Sequence, residues 1–245
     1  MIRLSVNVNK VATVRNSRGG HVPSVREAVE VCIAAGAHGI TVHPRADARH
    51  ITVADVRDIA GCLSGAGAGV EFNVEGDPRP DLIDLVLAVK PDQCTLVPVQ
   101  PGEITSQTGW PSDTPRETLA HVVDTLRAAR VRVSLFVDPD EAPIRWAADL
   151  GADRVELYTE PFAKAFERRG EETRRSFAGY TRAAELAHSL GLGVNAGHDL
   201  DLDNLIMFRG LPHLSEVSIG HALISRAMFV GLARTVREYL DVLAP

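Results

Sequence analysis

The sequence predicts an α/β protein, one (β/α)₈ barrel with extra short helices that spans residues 1–245 as a single domain. Short apolar runs alternate eight times with segments whose apolar residues recur at the helical period. The phrases AAGAHGITVH, DLGADRVELYT and SLGLGVNAGH each pass from a helix end through glycine into a strand, which is a weak internal repeat. Eight such units in about 250 residues are typical of this barrel.

An open, doubly wound parallel sheet is the alternative architecture for alternating strands and helices. A dinucleotide-binding sheet of that kind carries a G-x-G-x-x-G turn after its first strand. The corresponding segment here reads NVNKVATVRN and contains no glycine. The barrel is therefore the favoured fold, and no Ser- or Pro-rich linker divides it.

The strands are predicted from short apolar runs, because strands of a parallel sheet are buried on both faces. In chain order they are Arg3–Val8, Gly39–Val42, Gly69–Val74, Gln93–Val97, Arg132–Val137, Arg154–Tyr158, Gly193–Ala196 and Glu216–Ile219. The helices are predicted from the helical period, with Ser24 and Thr52 as N-caps. They are Ser24–Ala35, Thr52–Leu63, Pro80–Val89, Arg116–Ala129, Asp140–Leu150, Arg174–Leu190, Leu202–Arg209 and Arg226–Leu243.

Two connecting segments exceed the length of an ordinary loop. Pro98–Thr114 is polar and broken, whereas Thr159–Thr173 is expected to hold an extra short helix around Ala163–Arg169. Both follow the carboxyl ends of barrel strands, which makes them candidate lids.

Composition excludes several classes of protein. The net charge is -6, and no long Lys/Arg run exists, so no nucleic-acid partner is expected. No apolar stretch approaches the ~20 residues of a membrane span, and the N-terminus has no apolar signal region. The three cysteines, Cys32, Cys62 and Cys94, each lie in an apolar run and are expected to be buried free thiols. We expect a cytoplasmic protein that does not bind membranes.

The carboxyl ends of the predicted strands carry an unusual set of polar residues, and barrel active sites lie at that end. Four of the nine histidines fall there, namely His43, His50, His198 and His221. Glu71 and Glu156 lie inside apolar strands, where a carboxylate is costly unless it has a partner or a function. A buried structural salt bridge is an equally good interpretation of Glu156. For His43, His198 and Glu71 together, the favoured interpretation is that they carry out acid–base chemistry.

The same end carries candidate anion sites. Arg18 and Arg45 lie in loops, and guanidinium groups match phosphate geometry. The NAGH and SIGHA turns after strands seven and eight offer backbone N–H groups at helix N-termini. Two separate anion sites suggest two phosphorylated substrates or one bisphosphate.

The absence of certain motifs limits the types of reaction that the sequence predicts. Lys10 is the one lysine near the predicted rim that could form a Schiff base, and no D-x-D or H-E-x-x-H metal motif occurs. We therefore predict no metal and no cofactor. Proton transfer by His and Glu is the simplest interpretation, because imidazole titrates near neutrality and burial can tune a carboxyl group towards it.

Six motifs in matching order identify a resemblance that runs from Leu4 to about Gly231: NVNKVATVRNSRGG, GITVHPRADARHI, the EFN strand, SLFVDPD, VNAGHDL and SIGHALISRA. Together they resemble the pyridoxine 5′-phosphate synthase family of vitamin B6 biosynthesis. The resemblance implies a (β/α)₈ barrel, often assembled into octamers, so a homo-oligomer is expected. It also implies condensation of 3-amino-2-oxopropyl phosphate with 1-deoxy-D-xylulose 5-phosphate, giving pyridoxine 5′-phosphate, phosphate and water.

The resemblance further implies roles for individual residues. His43 matches a general base, Glu71 a second acid–base group, His198 a proton donor and Glu156 a carboxylate that stabilises the transition state. Positions that hold the aminoketone phosphate are matched by Asn7, Arg18, Gly220 and His221. Positions that hold the deoxyxylulose phosphate are matched by Arg45, His50 and Thr105.

The chain departs from the family pattern at two places. Asn9-Lys10 replaces a common Asp-His pair, and Asp199 follows NAGH where many relatives have glycine. We expect Asn9, Lys10 and Asp199 to contact substrate, although a carboxylate beside a phosphate is unfavourable unless it points away.

Two other functions stay open at this point. A metal-dependent sugar-phosphate isomerase or epimerase could use the same His and Glu residues as ligands. A non-catalytic module that binds or senses a phosphorylated ligand is the second alternative.

Overall fold

The structure is a computed structural model that describes residues 1–65, 69–99, 103 and 106–244. Eight parallel strands close into a barrel in sequential order, with β1 paired to both β2 and β8. This confirms the predicted (β/α)₈ barrel. The strands are β1 (Arg3–Asn7), β2 (Gly39–Val42), β3 (Glu71–Gly76), β4 (Gln93–Leu96), β5 (Arg132–Val137), β6 (Arg154–Tyr158), β7 (Gly193–Gly197) and β8 (Leu214–Ile219).

Helices follow the strands and cover the outside of the barrel. They are α1 (Asn9–Asn16), α2 (Val25–Ala34), α3 (Val53–Ser64), α4 (Pro80–Val89), α5 (Arg116–Ala128), α6 (Glu141–Asp149), α7 (Glu160–Arg168), α8 (Glu171–Ser189), α9 (Leu205–Phe208), α10 (His221–Val230) and α11 (Leu232–Leu243). Both predicted N-caps are confirmed, since the hydroxyls of Ser24 and Thr52 accept hydrogen bonds from backbone N–H groups three residues on.

The inner face of the barrel is polar. Side chains on a strand alternate between its two faces, and the alternation turns small polar residues inward. Ser5 hydrogen-bonds Thr41 across β1 and β2 at 2.7 Å, and the Thr95 hydroxyl donates to the Asn73 amide oxygen across β4 and β3 at 3.0 Å. The outward residues, such as Leu4, join the helices in one apolar cluster. The main hydrophobic core therefore lies between the strands and the helices.

The helix α1 was not predicted. Its segment, NKVATVRN, is mostly polar, and only Val11 and Ala12 are buried, so its apolar periodicity is weak. The local contact that begins it is polar: the Asn7 side-chain oxygen accepts a hydrogen bond from the Asn9 backbone N–H at 3.0 Å. This helix brings the residues after β1 to the rim of the barrel.

The single helix predicted over Arg226–Leu243 is wrong. The chain forms two helices there, α10 and α11, which meet at Gly231. Gly231 has φ of 88°, a conformation that L residues with a side chain rarely adopt and that ends a helix. The break lets α10 begin at His221, directly after β8.

An extra helix after β6 is confirmed, and it begins three residues before the predicted segment. Its Phe162 ring is fully buried and packs against Phe166, Phe177, Tyr180 and Phe208 at centroid distances of 5.0 to 6.0 Å. This aromatic cluster fixes α7 to α8 and α9, so the extra helix is part of the core.

Two further predictions concern the cysteines and membrane-spanning segments. Cys32, Cys62 and Cys94 are buried free thiols, as predicted. Among the residues that the structure describes, no helix has both the length and the apolar content needed to cross a membrane.

We expect Phe162→Ala to lower the free energy of unfolding by about 3–5 kcal/mol, because it leaves a cavity among four aromatic rings. Phe229→Ala is the matched control, since that ring is 89% exposed in the single chain and its removal should change stability by less than about 0.5 kcal/mol. Chemical denaturation of both variants measures the difference. Equal losses would contradict the aromatic cluster as a stabilising element.

Candidate active site

One cavity of about 450 Å³ opens at the carboxyl ends of the strands. Most of the side chains that line it come from the strand ends and from the loops that follow them. They are Asn7, Asn9, Lys10, Thr13, His43, Arg45, Arg49, His50, Glu75, Val97, Ser106, Phe136, Glu156, His198, Asp199, Ser218, Gly220 and His221. Eleven of the predicted site residues are in this set: Asn7, Asn9, Lys10, His43, Arg45, His50, Glu156, His198, Asp199, Gly220 and His221.

Asn9 connects the ends of the first two strands. Its side-chain oxygen accepts a hydrogen bond from the His43 backbone N–H at 2.9 Å. Its own backbone N–H donates to the Asn7 side chain at 3.0 Å. The side chain of Asn9 therefore holds the backbone of His43 in place. This is a structural role, separate from any contact with substrate.

His43 is a buried imidazole, 7% exposed, at the rim of β2. Its Nδ1 lies 3.9 Å from Glu75 Oε2, and its Nε2 has no hydrogen-bond partner in the described part of the chain. Burial lowers the pKa of His43 to about 3, helped by the positive charge of Arg45 and Arg79 and by His50. At neutral pH the ring is uncharged and can accept a proton.

His50 is held from outside the cavity by α1. Its backbone oxygen accepts hydrogen bonds from Asn16 at 2.9 Å and from Arg15 at 3.2 Å, and Arg15 also pairs with Asp55. Its ring Nδ1 accepts from the Ile51 N–H at 2.9 Å, so the neutral ring carries its proton on Nε2. Burial lowers the pKa of His50 to about 4, and the nearby cations contribute, Lys10 most of all.

Positive charge is concentrated on the β2 side of the cavity. Lys10, Arg45 and Arg49 line it together, and Arg45 is only 8% exposed. Arg49 pairs with Asp47, and both arginines donate to the Glu103 backbone oxygen, at 3.5 Å from Arg45 and 2.8 Å from Arg49. A buried guanidinium beside a lysine is a suitable site for a phosphate group.

His198 follows β7 and is oriented by two neighbours. Its Nδ1 lies 2.6 Å from the Asp199 carboxylate, and its ring meets Tyr158 edge-on at a centroid distance of 5.6 Å. The Asp199 backbone is held in turn, because its N–H donates to Thr159 Oγ1 at 3.2 Å and its carbonyl accepts from Asn204 at 3.0 Å. The Asp199 carboxylate therefore contacts the imidazole of His198.

Glu156 is a buried carboxyl group, 4% exposed, that lines the cavity from β6. Burial and the neighbouring carboxyl of Glu216 raise the pKa of Glu156 to about 8. Gly197 on β7 leaves room for it, because a Cβ there would lie 2.7 Å from Glu156 Oε1. In the described residues no Lys or Arg forms an ion pair with Glu156, so the structural salt bridge considered for it is not found.

The N-terminus of α10 faces the cavity on the side of β8. Gly220 is the residue before this ten-residue helix, and Gly220 and His221 both line the cavity. A Cβ at Gly220 would lie 3.1 Å from the Asn7 side chain, so glycine permits the close approach of β8 to β1. The exposed N–H groups and the helix dipole favour an anion at this position.

Glu71 does not line the cavity. The sequence pattern predicts β3 over Gly69–Val74, but the strand begins at Glu71 and runs to Gly76. Glu71 therefore lies at the opposite end of the strand, where its carboxylate pairs with Arg132 and, at 3.2 Å, with Arg3. The residue on the same face that reaches the cavity is Glu75.

Two other predicted residues are not part of the described cavity. Arg18 lies in the turn after α1, and its side chain is exposed. Thr105 lies outside the described residues, as does part of the Pro98–Thr114 segment. Their roles stay predictions.

The structure adds residues that the site prediction left out, above all Glu75, with Thr13, Arg49, Val97, Ser106, Phe136 and Ser218. Glu71 and Glu75 are four positions apart and share one face of β3, so the strand pattern alone does not distinguish which carboxyl group reaches the cavity. Phe136 and Ser218 lie within apolar strands and carry no signal of their own in the sequence.

The cavity contains side chains of the types that ligate metals, among them His43, Glu75, Glu156 and His198. Across the described ranges, no three His, Cys, Asp or Glu side chains are grouped so that they could hold one ion. What the cavity residues themselves offer is proton transfer and anion binding.

A (β/α)₈ barrel whose cavity joins acid–base side chains to anion-binding groups at the carboxyl ends of the strands defines a barrel enzyme. The chain belongs to the family described as pyridoxal phosphate biosynthesis protein PdxJ, whose model matches residues 4–245.

Several relatives are similar over their whole length. The chain is 51% identical over 244 residues to the pyridoxine 5′-phosphate synthase of Bacteroides fragilis strain YCH46, covering 99% of this chain and 100% of the relative. The enzyme of the same name from Bacteroides thetaiotaomicron matches with the same identity and coverage. That of Leptospira biflexa is 49% identical over 254 residues, covering 100% of this chain and 98% of the relative.

Solved structures of lower identity share the fold. The 3-hexulose-6-phosphate synthase of Salmonella typhimurium has a TM-score of 0.67 at 13% identity, covering 99% of this chain and 98% of that one. The phosphoribosyl anthranilate isomerase of Thermotoga maritima has a TM-score of 0.63 at 13% identity, with the same coverage. These similarities support the barrel architecture.

We expect Glu156→Gln to stabilise the protein at pH 8 more than at pH 5. The raised pKa means that the folded state keeps a proton which the unfolded chain releases between pH 4.5 and about 8. The stability that this group contributes is therefore present below pH 4.5 and is lost as the pH rises towards 8. Glutamine cannot ionise, so its advantage over wild type should grow by about 1 kcal/mol or more, or about 2–4 °C in Tm.

Thermal unfolding at pH 5, 6, 7 and 8 measures this difference. Glu185→Gln, on an exposed position of α8, is the control and should keep a constant difference from wild type. A constant difference for Glu156→Gln as well would contradict the raised pKa.

Proposed function

We propose that this chain condenses 3-amino-2-oxopropyl phosphate with 1-deoxy-D-xylulose 5-phosphate to give pyridoxine 5′-phosphate, inorganic phosphate and water. The relatives that match at about half identity over their whole length carry the corresponding name. The substrates are those that the sequence motifs imply, and both carry a phosphate group.

The observation that carries the proposal is the pair of anion-binding groups in one cavity. Lys10, Arg45 and Arg49 form the first group, and the N-terminus of α10 at Gly220 and His221 forms the second. Arg45 and Arg49 follow β2, Lys10 follows β1, and the N-terminus of α10 follows β8, and these three strands are neighbours in the closed barrel. Two phosphates held in this way bring an amine and a ketone together, which converts a bimolecular reaction into an intramolecular one.

By the resemblance, Arg45, His50 and Thr105 hold the deoxyxylulose phosphate. Asn7, Arg18, Gly220 and His221 hold the aminoketone phosphate. Asn9 and Lys10 replace the usual pair: Asn9 holds the His43 backbone, and Lys10 belongs to the first anion-binding group.

Bound substrate phosphates also change the pKa values of the histidine bases. The positive charges of Arg45 and Lys10 help to lower the pKa values of His43 and His50 in the empty cavity. A bound phosphate offsets these charges, so its arrival raises both values towards neutrality. His43 then acts as the general base, with its Nε2 directed at substrate.

On the opposite side of the cavity, His198 acts as the proton donor. The Asp199 carboxylate lies 2.6 Å from Nδ1 and fixes the orientation of the ring, which lines the cavity. Glu156, buried beside it, stabilises charge that develops in the transition state. Glu71 is the second acid–base group that the resemblance implies, although its carboxylate is paired with arginines.

A two-substrate assay without added metal tests the proposal. Wild type should release phosphate and pyridoxine 5′-phosphate in equal amounts, and His198→Ala should lose roughly 10²–10⁴-fold in kcat, the usual contribution of one acid–base group. His188→Ala, on the exposed end of α8, is the matched control. Binding of the phosphates without product, or full activity of His198→Ala, would contradict the assignment.

Asp199→Asn separates orientation from substrate contact. Asparagine keeps the size of the side chain but cannot stabilise an imidazolium, so we expect kcat to fall about 10-fold or more while KM changes little. A rise in KM with unchanged kcat would instead indicate that Asp199 contacts substrate directly.

We also propose a single-domain, cytoplasmic homo-oligomer, an octamer by the resemblance. Three buried free thiols support a reducing compartment. Sedimentation of the purified chain measures the oligomeric state.

A further inference from the structure

We propose that Val97 and Phe136 form a subsite for the methyl group of 1-deoxy-D-xylulose 5-phosphate. By binding this methyl group they select the deoxy sugar over its hydroxylated analogue, D-xylulose 5-phosphate. The inference rests on the function proposed above. It assigns substrate specificity to two side chains for which neither the sequence pattern nor the family resemblance implies a role.

The cavity offers apolar side chains at one place. Among the described residues that line it, Val97 and Phe136 are the two with apolar side chains, and the rest are polar, charged or glycine. Both are almost fully buried, with 4% and 3% exposure. Together with Tyr158 they form an apolar cluster that is separate from the main core between the strands and the helices. The packing of helices on strands therefore does not account for them.

The two side chains end the polar inner face of neighbouring strands. Val97 lies two positions after Thr95 of β4, whose hydroxyl donates to Asn73 inside the barrel. Phe136 lies two positions after the buried Ser134 on β5. Strand positions two apart share a face, so both side chains point into the barrel at its carboxyl end. On β4 and β5 the inner face thus changes from polar to apolar at the level of the cavity.

Neighbouring aromatic residues hold this apolar wall, Val97 and Phe136, in place. The Phe136 ring packs against Tyr158 of β6 at a centroid distance of 5.4 Å, and the Tyr158 hydroxyl donates to Glu160 at 2.8 Å. Trp110 joins β4 to β5, because its indole N–H donates to the Leu96 carbonyl and its backbone N–H donates to the Phe136 carbonyl, both at 2.9 Å. The wall is therefore fixed before substrate binds, as a discriminating subsite requires.

The apolar wall lies across the barrel from the anion-binding groups. Those groups follow β1, β2 and β8, whereas the wall is at the ends of β4 and β5. In the closed ring, β5 is four strands from β1 in either direction. A substrate whose phosphate is bound on the β1 side therefore extends its other end towards the wall.

The chemistry of the two substrates identifies the group that fits this wall. In 1-deoxy-D-xylulose 5-phosphate the phosphate is on C5, and C1 is a methyl group at the other end of the carbon chain. This methyl is the one carbon of either substrate that is bonded to no oxygen or nitrogen. Its burial against Val97 and Phe136 removes apolar surface from water. The C1 hydroxyl of D-xylulose 5-phosphate would lose its hydrogen bonds to water at the same place, which is unfavourable.

Selectivity between the two sugars tests the subsite. Wild type should prefer the deoxy sugar by about 10²-fold in kcat/KM, the size of discrimination that an apolar pocket achieves against an added hydroxyl. Val97→Thr keeps the shape of the side chain and adds a hydroxyl that can pair with the C1 hydroxyl. We expect it to lower the preference about 10-fold, chiefly through better use of D-xylulose 5-phosphate. Val31→Thr, on an exposed position of α2, is the matched control and should keep the wild-type preference.

Calorimetry on the same proteins measures the preference in binding, without turnover. With wild type, the Kd of D-xylulose 5-phosphate should exceed that of the deoxy sugar phosphate. With Val97→Thr the two Kd values should approach each other, whereas Val31→Thr should leave their ratio unchanged.

The methyl resonance gives a second measurement, which a merely structural role of Phe136 would not change. Protons that lie over the face of an aromatic ring are shielded. The methyl signal of the deoxy sugar phosphate, labelled with carbon-13 at C1, should therefore move upfield when it binds to wild type. With Phe136→Leu the upfield shift should be lost at saturating sugar phosphate.

The outcomes separate this inference from the proposed function. If wild type binds the deoxy sugar phosphate but makes no pyridoxine 5′-phosphate, the proposed function fails, and the ratio of the two Kd values still decides the subsite. If wild type makes the product and uses both sugars equally well, the inference about Val97 and Phe136 alone is overturned. It is also overturned if Val97→Thr keeps the wild-type preference and Phe136→Leu keeps the upfield shift.

Discussion

Closing eight parallel strands into a ring turns one face of every strand towards a shared interior, and in this chain that face is polar. Barrels of this class commonly fill the interior with branched apolar side chains. Here Ser5, Thr41, Asn73 and Thr95 form hydrogen bonds from strand to strand instead. Buried polar groups are costly unless they are satisfied, so each inward residue depends on its neighbours across the ring. The cavity lies where this network ends, at the carboxyl ends of the strands.

Charge is distributed unevenly along that interior. At the amino ends of the strands Glu71 is paired with Arg3 and Arg132, whereas at the carboxyl ends Glu75 and Glu156 are buried with no ion pair to a Lys or Arg in the described part of the chain. The same residue type therefore serves two purposes. When it is paired with arginines, as Glu71 is, the carboxylate joins neighbouring strands of the barrel. Without them it holds a proton at neutral pH, because a low-dielectric interior disfavours the ionised form.

Most of the cavity could be predicted from the sequence, because the rim of a parallel barrel is where polar residues follow apolar strands. His43, His198 and Glu156 were found in this way. Glu75 was given no role because the acid–base role was assigned to Glu71, which lies four residues earlier on the same face of β3. Arginine positions were less informative, because the sequence does not distinguish a guanidinium that binds phosphate from one that pairs with an aspartate of the protein, as Arg15 of α1 does.

The sequence by itself determined the barrel, the order of its units and the chemical character of the rim, because these depend on local periodicity and on short motifs that a chain carries wherever it folds. Only the tertiary structure decided which carboxyl groups are paired and which are left protonated. Arg132 reaches Glu71 across 61 positions of the chain, and His43 meets Glu75 only when β2 and β3 are in register. Protonation is set by every charge within a few ångströms, and such neighbours are brought together only by the closed ring.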